Sequence, residues 1–132
     1  MDQITFNVTL QEGIAEAGFM RYEPSSPISG LVQIVPNQDV NARKAAVRLR
    51  WRTEGRGDMD SESIGETEIW QGNLVKGRPV QGQFSFQLPQ QPWSYSGHYI
   101  TIVWEIFVYV DVPLTGDPKF AVPFVVRPGG KR

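Results

Sequence analysis

The sequence predicts an all-β fold, an antiparallel sandwich of about seven to eight strands, and three features predict it. Ten Pro and thirteen Gly punctuate the 132 residues at intervals of about eight to twelve, the spacing of short strands joined by turns. The segments between them alternate apolar and polar residues with period two, which sets one face of a strand on a core and the other in water. No segment carries a competing helical period. A chain of this length buries roughly 65–70% of its unfolded surface, enough for one core without staples. Residues 1–127 are therefore expected to form a single domain and residues 128–132 a flexible tail.

In the first strand Ile4, Phe6, Val8 and Leu10 alternate with Thr5, Asn7 and Thr9. After a turn-rich stretch from Gly13 to Pro27, the β-rich run Ile28 to Val35 ends at Pro36, which has no N–H to give a ladder. Val47, Leu49 and Trp51 then alternate with Arg48, Arg50 and Arg52, so three apolar side chains share one face and three cations the other. A polar loop from Thr53 to Ser63 leads into a strand from Ile64 to Leu74 that carries Glu66 and Glu68 ahead of Trp70, and the pair reads as a long-looped hairpin. Phe84, Phe86 and Leu88 alternate in the next strand, which Pro89 stops.

Beyond the turn-rich Gln90 to Gly97 comes the longest strand, His98 to Val112. Ile100, Ile102, Trp104, Ile106, Val108 and Val110 line one face, while Val103, Phe107 and Tyr109 make the other apolar too, as a central strand requires. Phe120, Val122, Phe124 and Val126 form the last strand, where Pro123 demands an edge or a bulge. Strands at this spacing fit an immunoglobulin-like sandwich better than a closed barrel, although period alone does not separate the two.

Composition narrows the function classes. Thirteen basic and fourteen acidic residues leave a formal net charge of −1, so no global field draws the chain to nucleic acid or to an anionic surface. Basic and aromatic residues do not interleave as single-strand binders need, and no glycine-rich phosphate loop is present. The absence of Cys excludes disulfides and thiolate chemistry and fits a reducing compartment. The start, Met1 to Phe6, has neither a basic stretch nor an apolar run, so no secretory signal is read there and a cytoplasmic location is expected. The longest apolar run, Ile100 to Val110, is broken by Thr101 and Glu105 and falls far short of the roughly 18 residues that span a bilayer. No integral membrane segment is expected.

His98 is the only histidine, which removes Ser-His-Asp triads and His-paired metal sites. No catalytic, cofactor-binding or metal-ligating residue is predicted. The acidic loop residues Asp58, Asp60 and Glu62 begin like a calcium loop, but the residues that follow are misplaced for one, and a solvated turn is the better reading. Arg56-Gly57-Asp58 matches an integrin-recognised tripeptide and Asn7-Val8-Thr9 a glycosylation acceptor. The first lacks a secretion signal and the second lies mid-strand. A carbohydrate-binding alternative would need Trp70 and Trp93 side by side in solvent. The best candidate surface is the stripe of Arg48, Arg50 and Arg52, whose guanidinium forks suit a phosphate or an acidic peptide. The competing reading pairs them with Glu66 and Glu68 across the hairpin.

A resemblance adds to this reading. Phe84-Ser85-Phe86-Gln87-Leu88-Pro89, then Pro92-Trp93-Ser94-Tyr95-Ser96-Gly97, then Ile102 to Ile106 and Val110-Asp111-Val112-Pro113 together resemble the N-terminal sandwich of arrestin-like proteins. That family has a phenylalanine-rich strand ending in Leu-Pro, a Pro-x-Ser-aromatic-x-Gly turn, and a long strand reaching an acidic residue before a Pro. Tyr22-Glu23-Pro24-Ser25 and Ile28-Ser29-Gly30-Leu31-Val32 look like its tyrosine-proline turn and serine-glycine strand. The resemblance implies an arrestin-like fold and a non-enzymatic adaptor or scaffold that binds a protein partner through a sheet edge or hairpin loops, or self-associates through that edge. The chain is too short for the two sandwiches of full arrestins, and the family's phosphate-sensing residues have no counterpart here.

Overall fold

A computed structural model describes residues 3–55 and 60–129. Among them are ten strands: β1 (Ile4–Gln11), β2 (Ile14–Glu16), β3 (Phe19–Tyr22), β4 (Pro27–Pro36), β5 (Lys44–Gly55), β6 (Ser61–Gln71), β7 (Val80–Gln87), β8 (Tyr95–Ser96), β9 (Ile100–Asp111) and β10 (Lys119–Val126). They form two sheets, one of three strands in the order β1-β4-β7 and one of seven in the order β2-β3-β10-β9-β5-β6, with β8 paired to β9. The fold is an all-β sandwich, antiparallel except where Val125 and Val126 of β10 run parallel to Arg21 and Tyr22 of β3. The seven longer strands are those the alternation predicts. β2, β3 and β8, of three, four and two residues, are too short to show a period.

The core lies between the sheets because the alternating residues of both converge there. Ile28, Val32, Ile34 and Phe84 project from the smaller sheet, and Val47, Leu49, Trp104, Ile106, Val108 and Val110 from the larger. At about 25 cal/mol per Å² of apolar surface, each such side chain contributes roughly 1.5–3 kcal/mol. β9 is central, flanked by β5 on one side and by β10 and β8 on the other. Pro123 pairs with Glu105 of β9, and the opposite edge of β10 is free there because β3 joins it only at Val125 and Val126.

The β5–β6 hairpin is longer than the sequence suggests. β5 continues to Gly55 and β6 already starts at Ser61, because the Thr53 N–H donates to the Asp60 carbonyl at 2.8 Å and the Asp60 N–H to Thr53 Oγ1 at 2.9 Å. β6 stops at Gln71, and the buried Leu74 instead bridges Val40.

The turn residues behind the resemblance act as fasteners. Tyr22 packs edge-on against Phe124, and its hydroxyl donates to the Gln11 carbonyl at 2.8 Å. Burial, with help from Glu12, raises its pKa. Trp104 Nε1 donates to the Pro92 carbonyl at 2.9 Å. Ser94 holds the end of β10, its N–H donating to the Val126 carbonyl at 2.8 Å and its Oγ accepting from the Val126 N–H at 2.9 Å.

Candidate functional site on the outer face of the larger sheet

The alternation of β5 sends Val47 and Leu49 into the core and Arg48, Arg50 and Arg52 to the outer face of the larger sheet. β9 and β6 present partners to that face at matching register. Arg48 stands opposite Phe107 and Glu66, Arg50 opposite Glu105, and Arg52 opposite Val103. Arg48 Nε donates to Glu66 Oε1 at 2.6 Å, and Lys44 Nζ to Glu66 Oε2 at 3.2 Å. Tyr109, 7% exposed, donates its hydroxyl to the same carboxylate at 3.2 Å. The Arg48 guanidinium lies 4.5 Å from the Tyr109 ring centroid. Glu66 is thereby held below the ordinary carboxylate range, first by the Arg48 hydrogen bond, and Arg48 and Lys44 are each raised first by their own hydrogen bond to Glu66.

The second cluster centres on Glu105, which is 2% exposed. Arg50 Nε donates to Glu105 Oε1 at 2.6 Å and Arg52 Nε to Oε2 at 3.4 Å. Arg50 also covers the Phe107 ring at 3.8 Å from its centroid, and Arg52 reaches Glu54 as well. A carboxylate so far from water is retained only because both oxygens are occupied.

The three arginines of the stripe thus share one surface, and each already has a carboxylate. Arg48 takes the cross-hairpin partner that the competing reading supplies, Glu66. Arg50 and Arg52 do not: theirs comes from β9. Glu68 forms no ion pair among the described residues. The sequence reading overlooked Glu105, although it was legible as the one charge inside the apolar run of β9, on the same face as Val103, Phe107 and Tyr109.

A groove continues the surface past Arg52. Val103 of β9 with Pro123 and Val125 of β10 form its floor, and Phe19 of β3 and Tyr95 of β8 its sides, enclosing about 640 Å³. Arg52 and Arg127 also line it. Phe19 and Tyr95 are 47% and 55% exposed. This feature assembles from five strands far apart in sequence, so no local pattern announced it.

Other expected sites fare differently. Trp70 and Trp93 are both partly exposed, but Trp70 stands beside Ala45 and Val110 while Trp93 precedes Tyr95, the partner of Ile102. Eight residues of β9 separate those positions, roughly 26 Å at strand rise, so the two indoles form no common platform. His98 is exposed, with its ring 4.5 Å from that of Tyr99. Among the described residues no three acidic or histidine side chains converge as a metal set. Asp58 of the calcium-like spacing and the whole Arg56-Gly57-Asp58 triplet lie outside the described residues. Among the described residues no helix is long and apolar enough to cross a membrane.

Two layered, largely antiparallel sheets make the fold an arrestin-like sandwich. Among solved structures, the chain is similar to Spo0M, a sporulation control protein from Bacillus subtilis, with a TM-score of 0.71 at 14% identity. The match covers 98% of this chain and 51% of Spo0M, so the chain spans about half the length of that protein. No family model and no curated protein matches it.

Proposed function

We propose that this chain is a non-catalytic protein-interaction module, an adaptor or scaffold of the arrestin-like kind, and that it takes its protein partner on the outer face of the larger sheet. The observation supporting this is the groove beside Arg52: apolar along its floor, flanked by two half-exposed aromatic side chains, and of a volume that admits a large side chain. The occupant that fits is an extended segment with an aromatic or aliphatic anchor in the groove, bordered by Arg52 and Arg127, whose charges Glu105, Glu54 and Glu16 already meet. Arg48, Arg50 and Arg52 contribute as the rigid border of the site rather than as free cations. A face contact is favoured over the β6 edge because Glu62, Glu66 and Glu68 stud that strand, and charges at a sheet edge oppose strand addition.

The discriminating variant leaves the arginines alone, since their reversal would strand the buried Glu105. Phe19→Asp/Tyr95→Asp changes exposed positions only. A partner captured by wild type should be lost at least tenfold in a direct titration with this variant, at an unchanged melting midpoint. Equal binding by the two proteins would move the site off the groove. Failure of any partner to bind wild type directly would count against the adaptor reading itself.

A further inference from the structure

The groove beside Arg52 is rich in hydrogen-bond donors and poor in acceptors. No Asp, Glu, Asn, Gln or His side chain lines it, and its polar groups are the hydroxyls of Ser94, Tyr95, Ser96 and Thr101 and the guanidinium groups of Arg52 and Arg127. Arg52 uses Nε on Glu105 and Nη1 on Glu54, and Arg127 uses Nη2 on Glu16. Both charges are therefore met, while each fork, with five N–H bonds, has others to give. The hydroxyls of Tyr95, Ser96 and Thr101 have no hydrogen-bond partner among the described residues. No continuous backbone edge runs along the groove, because β3 pairs with β10 only at Val125 and Val126, and β8 with β9 only at Tyr95 and Ser96. An occupant thus lies on side chains, and a backbone N–H that it turns towards them finds few acceptors.

Resting on the reading of this groove as the partner site, we infer that its occupant is a proline-rich segment in the polyproline II conformation. Proline has no N–H, and a polyproline II helix makes no internal hydrogen bonds, so its backbone offers carbonyl acceptors alone. Those acceptors are what the free hydroxyls and the spare guanidinium N–H groups require. Pyrrolidine rings pack on aromatic side chains, and Phe19 and Tyr95, both half-exposed, stand at the two sides. With three residues per turn, a Pro-Pro-x repeat returns its third side chain to the apolar floor of Val103, Pro123 and Val125 about every 9 Å. The segment is already ordered before it binds, so it gives up little entropy on a groove that closes over no part of it. A strand-forming segment would bring N–H groups to a surface without acceptors for them, and an acidic one would meet cations whose charge is already answered.

Fluorescence anisotropy with two labelled peptides tests this. One contains about four Pro-Pro-Leu triplets; the control, of equal length, is built of Ser-Gly-Leu triplets, which keep the leucines and restore the N–H groups. Wild type should bind the first with a dissociation constant on the order of 0.1 mM and the second at least tenfold more weakly. Tyr95→Phe, which deletes only the hydroxyl, should weaken the first severalfold, and Phe19→Asp/Tyr95→Asp at least tenfold, both at an unchanged melting midpoint. Equal binding of the two peptides overturns the inference, as does a proline peptide that binds the double variant as tightly as wild type. Wild type that binds neither peptide at about 1 mM overturns it as well. That failure is distinct from a failure of the groove: a captured partner still lost in Phe19→Asp/Tyr95→Asp keeps the groove as the site and removes only its proline-rich occupant.

Discussion

Replacing Glu105 by leucine is the sharpest test of how the arginine face is held together. The substitution leaves a side chain of similar bulk but removes the carboxylate that satisfies Arg50 at 2.6 Å and Arg52 at 3.4 Å. Breaking a fully buried pair by deleting one partner costs about 3–5 kcal/mol. The two arginine side chains remain 25% and 33% exposed, so water recovers part of the loss and about 2–3 kcal/mol is expected. At roughly 2.1 cal/mol/K per residue, unfolding entropy for this chain is about 0.28 kcal/mol/K, which converts the loss to a fall of about 7–11 °C in Tm. Arg50→Met combined with Glu105→Leu, which exchanges the pair for apolar contact, should recover most of that. Differential scanning calorimetry of the set gives the answer. A single Glu105→Leu variant melting within about 2 °C of wild type would show that the carboxylate is not an organising centre of the face.

The neighbouring cluster predicts a pH effect. Glu66 has its folded-state pKa lowered, chiefly by the Arg48 hydrogen bond, so its contribution is present above the unfolded carboxylate value and is lost as pH falls through the folded one. The group is one-third exposed, which limits the effect to roughly 0.5 kcal/mol. Urea melts between pH 6 and 3 should lose that increment in wild type and not in Glu66→Gln. Gly30 predicts a larger loss: a Cβ there would collide with the Thr9 carbonyl oxygen and the Phe84 ring, so Gly30→Ala should cost about 2 kcal/mol or more. Gly116, with open space around it, should accept alanine within about 0.5 kcal/mol in the same melts.

The legible part of the structure was whatever obeys period two. Val47-Arg48-Leu49-Arg50-Trp51-Arg52 announced a two-faced strand, and the apolar sides of Ile100 to Val110 announced a central one. Legibility ended where a neighbour in space, not in sequence, decides the outcome. Glu105 is a carboxylate in an apolar run until register sets it against Arg50. Phe19 and Val125 are single residues on short or terminal strands until β3 joins β10 in parallel. The hairpin between β5 and β6 was read too short because Thr53 and Asp60, polar residues typical of turns, extend the ladder by bonding to each other.

Glu105, Arg50 and Arg52 also constrain how this chain can drift. Loss of the carboxylate strands Arg50 and leaves Arg52 with Glu54 alone, and loss of Arg50 leaves the buried anion only the longer contact to Arg52, so each single step is penalised. An apolar trio at the same places is an equally sound end point. The three positions should therefore change in company across related sequences, whereas Arg48 and Glu66, wetter and shared with Lys44, are free to exchange one at a time.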